Sequence, residues 1–548
     1  MNKKTLAILA SVVLLPLVLR PAIASEIWIF AILGLGLNLL LGYTGLLSFG
    51  QATFFGSAAY VAGWLLKHYG INVFLALGTG VFVGAASAAA VGYLCVQRSG
   101  LYFIMLTFAL NQLFYFVAYQ WTSVTGGEDG MPGIPRPAFL GIDFGDPLAY
   151  YVFVSALFLV SLWIMKRIVE SPLGRILQAI RENEVRAEAV GYNVARFKLA
   201  AFVIGGAFSG LAGVLYAMLF GIVPLEAIGF VTSGNVVFAT LIGGSGSLYG
   251  PVIGSFVFIW LSESVSTLWA RWPLLLGVAF DRGALPARRR HRSLGAVLVM
   301  AILETKNLSK AFGALTAVDE VSLGIEAGTL HSIIGPNGAG KTTLFNLLTG
   351  TYPPSSGRIL FDGRDITGTP AHRVAHLGLA RSFQRTNVFP AFSLLDNVWV
   401  AAFACGASWK GLAWQRTDRY PEVRARALAA LADVGLAEKA EQPVREISHG
   451  EQRQLELAIA LAAAPRVLLL DEPAAGLSPE ETKKLVALVR ALKGRYTIVL
   501  IEHKMDIIMS VSDRISVMHF GSVIAEGTPG EIQRNPEVRR AYLGGVAA

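Results

Sequence analysis

Apolar residues fill the first half of this chain in long runs and the second half in short blocks. Up to about residue 280 the runs lie near 1–25, 27–42, 46–66, 71–96, 101–120, 148–165 and 199–222. Less clean runs follow at 230–242, 250–266 and 268–280. A helix that crosses a bilayer needs about 20 apolar residues, so 230–242 and 268–280 suit half-helices or tilted pieces, and about eight to ten membrane segments are expected. After residue 300 the apolar blocks shrink. Val467-Leu468-Leu469-Leu470 and Thr497-Ile498-Val499-Leu500-Ile501 each run into charged residues. A short continuous apolar run is what a parallel strand covered on both faces needs. The pattern predicts a multi-domain protein: an α-helical polytopic membrane domain over 1–280, then an α/β domain over 300–548.

Composition agrees with that division. The chain has 548 residues, too many for one core. Its mean hydropathy of +0.55, with 54% hydrophobic and 15% charged residues, is far from a soluble average. A net charge of +9 would point to nucleic acid in a soluble protein. Here much of it flanks apolar runs, where positive charge marks the cytoplasmic side, and no nucleic-acid partner is expected. Lys166, Arg167, Arg175, Arg181, Arg186, Arg196 and Lys198 crowd one loop, which belongs inside. The loop 121–147, with Glu128, Asp129, Asp143 and Asp146 against Arg136, belongs outside. Arg98 and the run Arg288-Arg289-Arg290-His291-Arg292 then also fall inside, as does the N-terminus. Lys3, Lys4 and Ala22-Ile23-Ala24 imitate a signal peptide, but apolar runs follow at once and an uncleaved first membrane helix is expected. Cys95 and Cys405 offer neither a disulfide framework nor metal-ligand spacing.

Small residues stud the membrane runs, among them Gly34, Gly36, Gly42, Gly45, Gly50, Gly56, Gly63, Gly205, Gly206, Gly210 and Gly213. They let helices approach closely or break. Asn38, Gln51, Asn111 and Gln112 are polar within apolar runs, which suits interhelical hydrogen bonds or a lined pathway. Ser171 to Glu184 has helical spacing and a mixed charged face, as a short helix between two spans would, and an attached soluble domain would push on such a helix. The motifs Phe49-Gly50-Gln51-Ala52, Ala179-Ile180-Arg181-Glu182-Asn183-Glu184, Gly191-Tyr192-Asn193 and Gly243-Gly244-Ser245-Gly246-Ser247-Leu248-Tyr249-Gly250-Pro251 resemble the permease subunit of branched-chain amino acid ABC importers, over roughly residues 26–275. One departure stands out. Phe280 to Val299, with its arginine cluster and Pro286, lacks the long apolar ending of that permease, and Met300 onward looks like the start of a free-standing ATPase. Residues 281–299 are therefore expected to be a basic linker between two joined subunits.

The second half carries the chemistry. The run Ile333-Ile334-Gly335-Pro336-Asn337-Gly338-Ala339-Gly340-Lys341-Thr342-Thr343 leads from a strand through Gly-x-x-x-x-Gly-Lys-Thr into a helix. Gly335, Gly338 and Gly340 free backbone N–H groups to curl around phosphate oxygens. The helix start favours the same anions. Lys341 reaches the β- and γ-phosphates of ATP, and the Thr342 hydroxyl suits Mg²⁺. Asp471, ending a buried strand, suits Mg²⁺ held through water, and Glu472 suits polarising an attacking water. A second strand delivers His503 to the γ-phosphate region.

Ser448-His449-Gly450-Glu451-Gln452 resembles the signature of ABC ATPases, with Ile447, His449 and Glu451 departing from Leu-Ser-Gly-Gly-Gln. Ser448 and Gly450, which meet a γ-phosphate in that family, are present. The resemblance also implies that Phe312 stacks on adenine, that Gln384 senses Mg²⁺ and the γ-phosphate, and that about 395–445 is a polar helical subdomain. Ser478 stands where many relatives have Asp. His331 and His449 show no metal spacing and are expected to be structural. Together the motifs imply a P-loop ABC ATPase that drives solute import across the bacterial inner membrane, with the ATPase cytoplasmic. Implied partners are a second permease, a second ATPase and a periplasmic solute-binding protein, or a second copy of this chain. Branched-chain or other hydrophobic amino acids lead as solute, ahead of urea, short amides or aromatic acids. An ABC exporter, or a non-transporting fusion with a working ATPase, is the alternative.

Overall fold

The computed structural model describes residues 3–98, 100–138, 142–266, 296–297, 302–313, 315–384, 387–406 and 411–543. The chain divides into two compact units that are not contiguous in sequence. One comprises Met1–Arg181, Val194–Leu285 and Gly411–Thr417; the other comprises Glu182–Asn193, Pro286–Lys410 and Asp418–Ala548.

The first unit is helical. Among the described residues, five helices are long and apolar enough to cross a membrane: Pro21–Thr44, Val73–Cys95, Leu101–Gln120, Pro147–Val169 and Val194–Phe220. Gln51–Tyr69 lies between the first two. Val194–Phe220 packs against Pro21–Asn38, Gln51–Tyr69 and Val73–Cys95. Glycine makes the closest of these contacts: a Cβ on Gly84 would lie 2.3 Å from Gly206 O, and one on Gly210 would lie 2.1 Å from Gly80 O. Two backbones touch there because four glycines at helical spacing leave nothing between them. Phe230–Ile242 is a helix of 13 residues, about 20 Å long at 1.5 Å per residue, the short element expected there. Gly250–Ser266 follows. The run 268–280 and most of the expected linker lie outside the described residues; within the latter, Ala296–Val297 pairs in parallel with Ser322 and Leu323.

The short helix expected over 171–184 is present as Pro172–Glu182, and a second helix follows it. Pro172–Glu182 and Glu184–Ala189 are separate helices. Asn183 separates them because its side chain accepts from Arg186 N at 3.1 Å and caps the second. Arg181 belongs with the first unit, where its guanidinium donates to Gly42 O. The segment 411–417 also joins this unit, through Leu173 N to Leu412 O at 2.9 Å and Arg416 to Glu170 at 3.3 Å.

The second unit carries two sheets. In the larger, the spatial order is Ser522–Gly527, Arg514–His519, Leu330–Ile334, Thr497–Ile501, Val467–Asp471, Leu379–Arg381, parallel except for the first pair. Leu330–Ile334, Val467–Asp471 and Thr497–Ile501 are buried at every position, as strands covered on both faces must be. The smaller sheet contains Leu303–Phe312 and Leu315–Ile325, paired antiparallel. Leu394–Gly406, Pro421–Asp433 and His449–Ala462 pack together. The first of these is not the polar helix expected: Leu394, Leu395, Val398, Trp399, Val400 and Phe403 are all buried.

Candidate functional site

Register in the larger sheet brings the chemistry to one edge. Ile333 pairs with Ile501, and Ile501 with Asp471. The loop after Ile334, the Asp471-Glu472 pair and His503 therefore leave adjacent strands at the same level, beyond their carboxyl ends, where ligands bind in α/β sheets. Ser382 N donates to Leu469 O at 2.8 Å, which extends the next strand toward Gln384 at that same edge.

The loop 335–340 is built from left-handed glycines. Gly335, Gly338 and Gly340 have φ of +155°, +82° and +110°. A Cβ on Gly335 would also lie 2.2 Å from Met518 O, so no larger residue fits. Pro336, Asn337 and Ala339 complete the curve, and Lys341 opens the helix Lys341–Leu348 with Thr342 and Thr343 in its first turn. Lys341 Nζ donates to Gly335 O at 2.7 Å and Pro336 O at 3.1 Å. Burial lowers its pKa, while Glu472 and Asp471 oppose the shift.

Glu472 is the best-held residue of the edge. His503 Nε2 lies 2.8 Å from its Oε1, and Gln384 Nε2 donates to its Oε2 at 3.0 Å. Its φ of +49° is a conformation that a non-glycine residue adopts at a cost of about 1–3 kcal/mol. The amide donating to Ile501 O at 2.8 Å holds it there. Beside it, Asp471 is fully buried and accepts from Arg381 Nη2 at 2.9 Å through Oδ2. Its other oxygen is buried without a partner. Burial pushes the Asp471 carboxyl up and Arg381 pulls it down. An unpartnered carboxylate oxygen beside a phosphate loop fits a divalent cation. Among the described residues no three His, Cys, Asp or Glu side chains gather as a cage. Mg²⁺ takes one or two carboxylates and fills its shell from phosphate and water, so the open Asp471 oxygen fits it.

Phe312 belongs to the other sheet. It ends a strand of the smaller sheet, half-buried, with Lys310 Nζ 5.2 Å from its ring centroid. Ser448 and Gly450 begin the helix His449–Ala462, where Ser448 Oγ accepts from Glu451 N at 3.2 Å and Glu451 returns to Ser448 N at 2.9 Å. This capping box gives the departure at Glu451 a role. Ser478 caps Pro479–Leu492 in the same way, a task Ser and Asp share. Beside Ser448 a cleft of about 210 Å³ is lined by Ser448, Gly450, Glu451, Leu477 and Glu481 and by no residue of the phosphate loop. His331 is buried, its Nε2 2.8 Å from Ser516 Oγ. His449 lies at the first position of its helix.

Sequence patterns did not single out several residues that hold this site. Glu502 accepts from Ala474 N at 2.8 Å and His503 N at 2.9 Å, fixing the turn after Glu472 and the approach of His503. Arg453 donates to Phe383 O at 2.8 Å and to Gln384 O, and pairs with buried Glu456 at 3.1 Å. Arg186, 1% exposed, donates to Arg381 O at 3.2 Å and Glu456 O at 3.1 Å. Burial lowers its pKa to about 10, so it stays charged at neutral pH. Tyr192 donates to Val400 O at 2.7 Å. The segment 182–193 is thus anchored to the residues that present Gln384.

A phosphate loop, a carboxylate pair and a histidine on one sheet edge, on a chain whose other unit is a bundle of apolar helices, define an ABC transport ATPase joined to a permease. Comparisons with known proteins carry this further. A family described as "Branched-chain amino acid transport system / permease component" matches residues 21–302, one described as "ABC transporter" matches 318–475, and one described as "Branched-chain amino acid ATP-binding cassette transporter" matches 522–548. The chain belongs to the branched-chain amino acid transport family of ABC transporters. It is similar to the high-affinity branched-chain amino acid transport ATP-binding protein BraF of Pseudomonas aeruginosa, 43% identical over 252 residues, 44% of this chain and 98% of that protein. LivG of Escherichia coli strain K12, of the same description, is 41% identical over 249 residues, with 44% and 98% covered. The ADP conformation of MJ1267, an ATP-binding cassette of an ABC transporter, is 31% identical, with 45% of this chain and all of that chain covered at a TM-score of 0.40. The chain is a multi-pass inner-membrane protein with a cytoplasmic ATPase that binds and hydrolyses ATP.

Proposed function

We propose that this chain imports branched-chain amino acids as a permease fused to its ATPase, with 1–280 as permease, 281–299 as joining linker and 300–548 as ATPase. The observation that carries the catalytic half is the Glu472 carboxylate, held between His503 and Gln384 beside the phosphate loop. The solute class follows from the family matched by residues 21–302. Backbone amides of 335–340 and Lys341 bind the β- and γ-phosphates, and Phe312 stacks on adenine. Mg²⁺, when bound, neutralises phosphate charge; Thr342, Gln384 and Asp471 are the residues that would hold it. Glu472 takes the proton of the attacking water as the water's oxygen bonds to the γ-phosphorus and the bond to the β-phosphate oxygen breaks. His503 orients Glu472 and the γ-phosphate. Ser448 and Gly450 line a cleft that includes no phosphate-loop residue, so each serves the nucleotide of a second ATPase. A second permease, a second ATPase and a periplasmic binding protein, or a second copy of this chain, complete the assembly.

The test is uptake of labelled leucine, isoleucine and valine into vesicles holding the full chain with its partners. ATP-dependent accumulation of at least one is expected. Hydrolysis that proceeds without accumulation of any of the three overturns the assignment of solute.

A further inference from the structure

Two helices of the first unit begin inside the bundle rather than at its ends. Gln51–Tyr69 runs toward the outer loop, since Lys67 Nζ donates to Pro132 O at 2.8 Å. Its start meets Ser209, near the middle of the 27-residue helix Val194–Phe220, through Ser209 Oγ and Gln51 Oε1 at 2.7 Å. It also meets Asn111, near the middle of the 20-residue helix Leu101–Gln120: Asn111 Nδ2 donates to Thr53 Oγ1 at 2.9 Å. Phe230–Ile242 begins at the same depth. Ala52 N donates to Ser233 Oγ at 2.9 Å, joining the first turns of the two helices, and Asn111 Nδ2 also donates to Ile228 O at 2.9 Å.

Two positive helix ends therefore face one another at half-depth, an arrangement that an anion would relieve. Interrupted membrane helices of this kind present their starts to the carboxylate of a substrate. A second, independent observation points to a ligand. Gln51 and Asn111 are both fully buried, yet Gln51 Nε2 and Asn111 Oδ1 have no partner. Ile228 O can only accept, so the Asn111 nitrogen faces it and the free atom is the oxygen, an acceptor between the two helix starts. Rings lie alongside: Phe230 is 5.2 Å from Phe49 and 4.9 Å from Phe108, which precedes Asn111 by one helical turn. A buried donor, a buried acceptor and an aromatic wall are the complement of an apolar zwitterion.

We propose that the meeting point of the Gln51 and Phe230 helix starts is the solute site of the permease unit: Gln51 Nε2 and the helix ends take the α-carboxylate, Asn111 Oδ1 takes the α-ammonium, and Phe49, Phe108 and Phe230 face the aliphatic side chain. This rests on the reading of the chain as an amino acid importer. Radiolabelled leucine binding to the full chain in nanodiscs tests it, with leucinamide and 4-methylpentanoate, which lack the carboxylate and the ammonium respectively, as competitors. Leucine is expected to bind at least about tenfold more tightly than either, because a site built for a polar group rejects the analogue without it. Asn111→Leu should erase the preference over 4-methylpentanoate alone, Asn111→Asp should keep it, and Gln51→Leu should erase the preference over leucinamide alone. A merely structural role would scale all three ligands together. No leucine binding by the wild type, or ratios unmoved by the variants, overturns the site. Leucine uptake by the assembled transporter is followed in parallel: its absence with the binding pattern intact overturns the import reading alone.

Discussion

The two units bury polar groups in opposite ways. In the second unit charges are buried and held, Arg381 by Asp471 and Arg453 by Glu456, with Arg186, Lys341 and Glu502 on backbone groups. In the first, the buried polar side chains within the spans are neutral, among them Asn38, Gln51, Asn111, Ser209 and Ser233; Lys198, near one helix end, is the exception among the described residues. A paired charge in a water-backed domain can be sustained by a network of hydrogen bonds, whereas in hydrocarbon the same charge costs several kcal/mol. So the second unit does chemistry with fixed charges. The first is restricted to dipoles, amides and hydroxyls, which suits a group that must bind and then leave.

The largest expected effect breaks this comparison at its charged end. Glu472→Gln keeps the shape and the contacts to Gln384 and His503 but removes the proton acceptor. Steady-state hydrolysis should fall by about 10²–10⁴-fold while ATP still binds. The unpartnered Gln51 and Asn111 atoms of the first unit are untouched, so leucine binding to the chain should survive. Near-normal hydrolysis would mean that another group accepts the proton.

A smaller effect tests how the second unit excludes a charge it cannot pair. Burial, with the Arg514 charge behind it, lowers His331 from its ordinary 6.5 to about 4. The unfolded chain then takes up a proton that the folded one refuses. The folded state is unpenalised above pH 6.5 and loses stability as pH falls from there to about 4. The difference amounts to about 3 kcal/mol at most. His331→Gln should flatten that part of the acid slope. Unfolding midpoints of the ATPase transition at pH 7.5 and 5 in both proteins would show it, and identical slopes would mean that carboxylates alone set the acid limit.

How much of this was legible differs between the units for a physical reason. The phosphate loop, Asp471-Glu472 and His503 follow short buried strands, so a local pattern carries both element and chemistry. The short helix at 230–242 was legible from its length alone. Glu502, Arg381, Arg453 and Arg186 were not, since each acts through partners far along the chain. A clue existed in buried-strand contexts that end in charge, as at Arg381 and Glu502. The helix Glu184–Ala189 was not foreseen, because what starts it is the Asn183 side chain capping Arg186 N rather than an apolar period. The polar reading of 395–445 failed at Leu394–Gly406, where burial on nearly every side hides a helix from a charge count.

The smallest expected effect sharpens the comparison at a residue that belongs to neither manner of burial. Phe312 is half-buried at the end of a strand, on a different sheet from the phosphate loop, and its resolved neighbour is the Lys310 ammonium. An aromatic ring in that position offers a face to a base. Phe312→Ala should therefore weaken nucleotide binding by about 1–3 kcal/mol, the range measured for a base on an aromatic ring. At that size the loss is about 5- to 150-fold in affinity. It should fall on ATP and on ADP alike, because the ring touches the base and not the γ-phosphate. Inorganic triphosphate, which has no base, should bind both proteins equally. Equal ATP affinity in the variant, or a loss that extends to triphosphate, would assign Phe312 to packing and leave adenine to another ring.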